Sequence, residues 1–107
     1  MANYSNFGKT VKKLRIDLDV NQSTLSKHIN LSLNEISLIE REAANIGLVH
    51  KAFFNILNFL NDINHLTKEV EKELIISYYK TTGFIPIEGL RYNRDIKDKI
   101  LKLIIES

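Results

Sequence analysis

The sequence predicts an all-α chain of about six helices, and three observations carry that expectation. Apolar residues recur at helical spacing, as in Phe7, Val11, Leu14 and Leu18 at i, i+4, i+7 and i+11. Good N-capping residues stand just ahead of such stripes, at Asn21, Ser32 and Thr67. Residues that tolerate a left-handed backbone stand where stripes end, at Asn30 and Gly83.

The first helix carries the Phe7–Val11–Leu14–Leu18 stripe, with Lys9, Lys12 and Lys13 on its other faces. Most of those lysines read as solvated surface, with phosphate contact by one or two as the alternative. Gln22 opens the second helix behind the Asn21 cap. Leu25 and Ile29, four apart, share its buried face, and Ser26 beside them is small enough for close backbone approach. Asn30 turns the corner and Leu31 plugs it. Ser32 caps the third helix, and Glu35 three residues on completes a capping box. Ile36 and Ile39 give that helix its buried side.

The fourth helix is expected from about residue 48 to residue 60, with Ala52, Phe53, Ile56, Leu57 and Leu60 as its stripe. Phe54 and Phe59 widen the stripe, so this helix needs two packing partners. Residues 61–64 form a polar connector. The fifth helix runs from Thr67 to about Lys80 on Val70, Leu74 and Tyr78, with Ile75, Ile76 and Tyr79 beside them. Glu69, Glu71 and Glu73 interleave with Lys68 and Lys72 as its exposed face. Gly83 ends it. Phe84, Ile85, Pro86 and Ile87 read as an extended apolar arm, since proline turns its predecessor away from helix. A last helix starts near Asn93 and carries Ile96, Ile100, Leu103 and Ile104.

Composition narrows the functional class. The 107 residues suffice for one compact core, and 44% apolar content argues for a folded chain. There is no cysteine, hence no disulfide scaffold and no Cys-based zinc site. No apolar run is long enough to span a bilayer, and the start lacks a signal-peptide core, so a bacterial or phage-host cytoplasm is expected. Net charge is only +2. Residues 1–60 hold seven Lys/Arg against five Asp/Glu, whereas residues 61–107 hold eight of each, so the excess sits in the first part.

Catalytic chemistry finds no foothold. His28, His50 and His65 do not pair at i, i+4, and neither a glycine-rich phosphate loop nor a nucleophile elbow occurs. Tyr4, Tyr78, Tyr79 and Tyr92 read as amphipathic packing residues. The expectation is a protein without enzymatic activity, metal or cofactor.

The stretch NQSTLSKHINLSLNEISLIERE, residues 21–42, resembles the helix-turn-helix of the Cro/CI-type (XRE) family of DNA-binding regulators, typified by lambdoid phage repressors. Gln22, Leu25, Ser26, Ile29, Asn30, Leu31, Ser32, Ile36, Ile39 and Glu40 carry the resemblance, extended upstream by Leu14 and Arg15. It implies a repressor-like domain of four to five helices over residues 1–65. A two-helix extension over residues 66–107 would then either complete the core or build a dimer interface, the latter being favoured because the family usually binds DNA as a dimer.

By the same resemblance, Arg15 and Glu40 form a structural ion pair. Leu33, Asn34, Ser37 and Leu38 read base edges in the major groove. Asn21, Gln22, Lys27, Arg41 and Lys51 face phosphates. The implied partners are a double-stranded DNA operator with an inverted repeat and a second copy of the chain, with another protein on the C-terminal segment as a further candidate; no membrane is implied. The chain departs from the family where Arg41-Glu42 replaces the usual glycine after the glutamate, and where the third helix lacks any Lys or Arg. The leading expectation is a transcriptional regulator of the repressor kind, of phage, plasmid or mobile-element type. Two alternatives are an autorepressing antitoxin and an inhibitor or anti-repressor module that kept the fold without DNA.

Overall fold

Among the described residues there are five long helices, and four of them begin behind a side-chain cap. The structure, a computed structural model, describes residues 5–86, 88–96, 99 and 102. They form α1 (Phe7–Asp17), α2 (Gln22–His28), α3 (Leu33–Glu40), α4 (Ile46–Asp62) and α5 (Lys68–Thr82), with no strand among the described residues. None of these helices is long and apolar enough to cross a membrane.

Local chemistry sets the boundaries. Asn21 Oδ1 accepts from the Thr24 N–H at 2.7 Å, Asn45 Oδ1 from Leu48 at 2.8 Å, and Thr67 Oγ1 from Val70 at 3.1 Å. Ser32 and Glu35 exchange both bonds of a capping box, at 3.0 and 2.9 Å. The Asn45 cap explains why α4 begins two residues before the expected start. At its other end α4 takes in Asn61 and Asp62, and the chain reverses at Asn64, whose φ is 58°. Asn30 also turns left-handed, at φ 54°, so that the Leu31 N–H reaches back to the Ser26 carbonyl and Leu31 is buried in the corner.

α1 is capped by a residue far along the chain. The Asn6 side chain makes no cap; instead the Phe7 N–H donates to Thr81 Oγ1 of α5 at 2.9 Å. α1 packs on α3 and α5, and α4 packs on α5 and α3. Phe7, Phe53 and Tyr78, from α1, α4 and α5, meet with ring centroids 4.7–6.4 Å apart. Gly8 lets α1 approach α3, because a Cβ there would collide with the Ile39 carbonyl.

Residues on both sides of position 65 enter one core. Leu66, Leu74, Ile75, Tyr78, Leu90 and Ile96 belong to the same cluster as Phe7, Leu25, Ile36 and Phe53. The boundary expected at residue 65 is therefore not a packing boundary. The α5 stripe expected to serve a dimer is spent within the chain: Leu74, Ile75 and Ile76 are wholly buried. Pairing through α5 would require pulling that stripe out of its own core.

The exposed face expected of α5 also needs correction. Glu69 pairs with Lys72 at 3.1 Å and Glu73 with Lys13 at 3.0 Å, but Glu71 is fully buried. Its Oε2 accepts from the Arg91 N–H at 2.7 Å, and its Oε1 from the N–H groups of Tyr92 and Asn93, both at 2.8 Å. Asn93 Nδ2 adds a fourth bond at 3.1 Å. Three successive backbone donors thus answer the charge, as a nest does. This clasp ties the segment after the arm onto α5. Within the arm, Phe84 is exposed, Ile85 half-buried and Pro86 buried. Ile87 lies outside the described residues, as do Ile100, Leu103 and Ile104 of the expected last helix, and Tyr4.

Candidate nucleic-acid interface

α1, α2 and α3 are tied together by one carboxylate. Glu40, at the end of α3, accepts from Arg15 Nε at 2.8 Å and Arg15 Nη2 at 3.0 Å, a two-pronged pair. Gln22 Nε2, at the start of α2, donates to the same Glu40 Oε1 at 3.1 Å. Arg15 Nη1 reaches the Val20 carbonyl at 3.2 Å. One side chain thus joins α1, α2 and α3. With side-chain exposures of only 14% and 5%, Arg15 and Glu40 are sheltered from water. The hydrogen bond to Glu40, with its charge, raises the Arg15 pKa against the opposing effect of burial.

Leu33, Asn34, Ser37 and Leu38 follow at i, i+1, i+4 and i+5, so they occupy one face of α3. Leu33 and Asn34 project furthest, Leu33 being 52% exposed, while Ser37 and Leu38 are half-buried. This face bears no charge. The two acidic side chains of α3 are engaged elsewhere, Glu35 in the capping box and Glu40 with Arg15 and Gln22. The Glu35 carboxyl is held below its usual range, first by the bond from the Ser32 N–H and more weakly by Lys51.

The expected phosphate-facing residues are not equivalent. Asn21 is exposed but spends its Oδ1 on the α2 cap. Gln22 is half-buried and oriented by Glu40. Arg41 is exposed, with Nε bonded to the Ser37 carbonyl at 3.3 Å, which folds its guanidinium along α3. Lys27 and Lys51 are exposed on α2 and α4. His50 is turned the other way: its Nδ1 lies 3.0 Å from the Tyr78 hydroxyl and its ring packs edge-on against Phe54.

Sequence reasoning missed three supporting residues. Gly8 sets the α1–α3 distance. Asn55 Nδ2 satisfies the Ile29 carbonyl at the end of α2, at 2.8 Å. Glu42 takes the left-handed turn after α3, at φ 59°, and its Oε2 accepts from Asn6 Nδ2 at 3.0 Å. Only Glu42 carried a signal, because it stands in the turn from which the expected glycine is missing. An apolar groove of about 510 Å³ between the start of α4 and the arm, walled by Ile46, Phe54 and Phe84, contains none of the expected DNA-facing residues. No cluster able to hold a metal ion occurs among the described residues.

Compared with models of protein families, with curated proteins and with solved structures, the chain matches none at a significant level.

Proposed function

We propose that the protein is a sequence-specific DNA-binding regulator of the Cro/CI type, acting as a repressor, with α3 as its reading helix. The uncharged, exposed face of α3 carries this reading. Were Glu35 and Glu40 free, two carboxylates beside a polyanion would oppose binding. Both are consumed internally, which leaves Leu33, Asn34, Ser37 and Leu38 to meet base edges. Asn34 offers an amide suited to adenine, and Leu33 an apolar surface suited to a thymine methyl. Gln22, held by Glu40, presents the start of α2 to a phosphate.

An inverted-repeat operator calls for two copies of the chain, and the buried α5 stripe leaves that pairing to another surface. The interaction-module reading keeps some weight, since the cations expected to meet phosphate are few: Lys27, Arg41 and Lys51.

Selection of an operator from random duplexes, followed by binding at two salt concentrations, tests the proposal. Asn34→Ala is expected to lose about 1–3 kcal/mol on the selected site and little on random DNA. Gln22→Ala is expected to weaken both alike. With about three cations engaged, log affinity should fall against log salt with a slope near −3. If no sequence outcompetes random DNA, the interaction module takes first place.

A further inference from the structure

The turn that follows the arm builds a second feature, unused by the DNA reading. Asn58 of α4, together with Gly89, Leu90, Arg91 and Arg94, lines a cleft of about 440 Å³. Asn58, Gly89, Arg91 and Arg94 are exposed, so the cleft is open to solvent. Among the described residues, the lining holds two arginines, one amide and no carboxylate. Among the described residues, the Arg91 guanidinium and the Asn58 amide have no hydrogen-bonding or ionic partner. Arg94 Nε donates to the Leu90 carbonyl at 3.3 Å, which steadies its guanidinium, and among the described residues neither Nη group has a partner.

The backbone carrying these groups is fixed in advance. Gly89 turns left-handed at φ 76°, and a Cβ there would stand 3.2 Å from the Phe54 ring. Leu90 and Asn93 are buried on either side of Arg91. The Arg91 N–H is gripped by Glu71, whose own carboxylate is fully buried and does not line the cleft. Two guanidinium forks, three residues apart on a preformed turn, suit the oxygens of a phosphate group.

We propose that this cleft binds a small phosphate-bearing molecule, with Arg91 and Arg94 holding the phosphate and Asn58 supplying a further donor. Duplex DNA offers the same phosphate chemistry, and the duplex arm of the titration below separates the two sources. The assignment uses no residue of the α3 face and can fail without affecting the DNA reading.

Titration of the ¹⁵N-labelled full chain with sodium pyrophosphate, at constant ionic strength, tests it. Saturable shifts are expected at the amides of Gly89 and Arg91 and at the Arg94 Nε–H. Arg91→Gln with Arg94→Gln should lower the affinity at least tenfold. Should that pair fail to fold, Asn58→Asp decides, because it sets a carboxylate in the cleft from an exposed helix position. Undiminished pyrophosphate binding by either variant overturns the proposal, as do identical shifts with sodium chloride. A short random duplex that moves these resonances where pyrophosphate does not would make the cleft a DNA-backbone contact and end the small-ligand assignment.

Discussion

Glu40 satisfies three donors from two side chains on different helices, so its removal should be felt on both. With Arg15 gone, a sheltered carboxylate would keep only Gln22. Arg15→Met is expected to destabilise by about 3 kcal/mol, the range for breaking a buried pair. Glu40→Leu leaves Arg15 unanswered and should do similar damage, while the double variant should lose much less than the sum. Chemical denaturation of the four proteins measures the coupling, and strict additivity would dissolve the pair as an energetic unit. Gly8 is a different kind of residue, needed for the space it leaves. Gly8→Ala should be destabilising by about 1–3 kcal/mol, although alanine favours helix, because the Ile39 carbonyl must move. A thermal melt unchanged by that substitution would mean that α1 and α3 can slide apart freely.

At the scale of the element, α3 depends on its first turn. Ser32→Ala should cost about 1 kcal/mol through loss of one cap bond. Glu35 gives the cap a pH dependence with a definite sign. Its folded pKa lies below the ordinary 4.5, so its stabilisation is present above that value and is lost as pH falls through the lower folded value. Glu35→Gln should therefore flatten the acid limb of the stability curve below about pH 4.5. Parallel limbs for the two proteins would show that Glu35 is not titrating in the cap.

These caps were legible in the sequence because each is a matter of residues three apart. The Asn21, Ser32 and Thr67 caps, the Asn30 corner and the Gly83 stop all stand where local chemistry put them. What the sequence hid was long-range. Thr81 caps a helix 74 positions away, and Glu71 sits in a charged repeat indistinguishable from a solvated face. The base-facing candidates were legible as exposed positions of α3. The recruitment of Gln22 to Glu40, across 18 residues, was not.

Across the whole molecule, Leu66, Leu74, Ile75, Tyr78, Leu90 and Ile96 make the described part of the chain past residue 65 a working part of the core. The Glu71 clasp is where that dependence is greatest. Glu71→Leu should destabilise by about 2–4 kcal/mol, since the N–H groups of residues 91–93 would lose their acceptor. Ending the chain at residue 88 should be at least as harmful, because it strands the buried carboxylate instead. If hydrogen exchange of the α5 amides is unaltered by either change, the clasp is ornamental to the core.

Seen from the ribosome, the same clasp is a completion check. Helices α1 to α5 are all synthesised before the Glu71 carboxylate has its partners at residues 91–93. Until residues 91–93 follow, burying α5 means burying an unanswered charge, which disfavours early closure of the fold. A nascent or prematurely ended chain would remain partly open, its apolar α5 stripe available to chaperones and proteases. A chain that reaches Asn93 supplies its own counterpart and shuts.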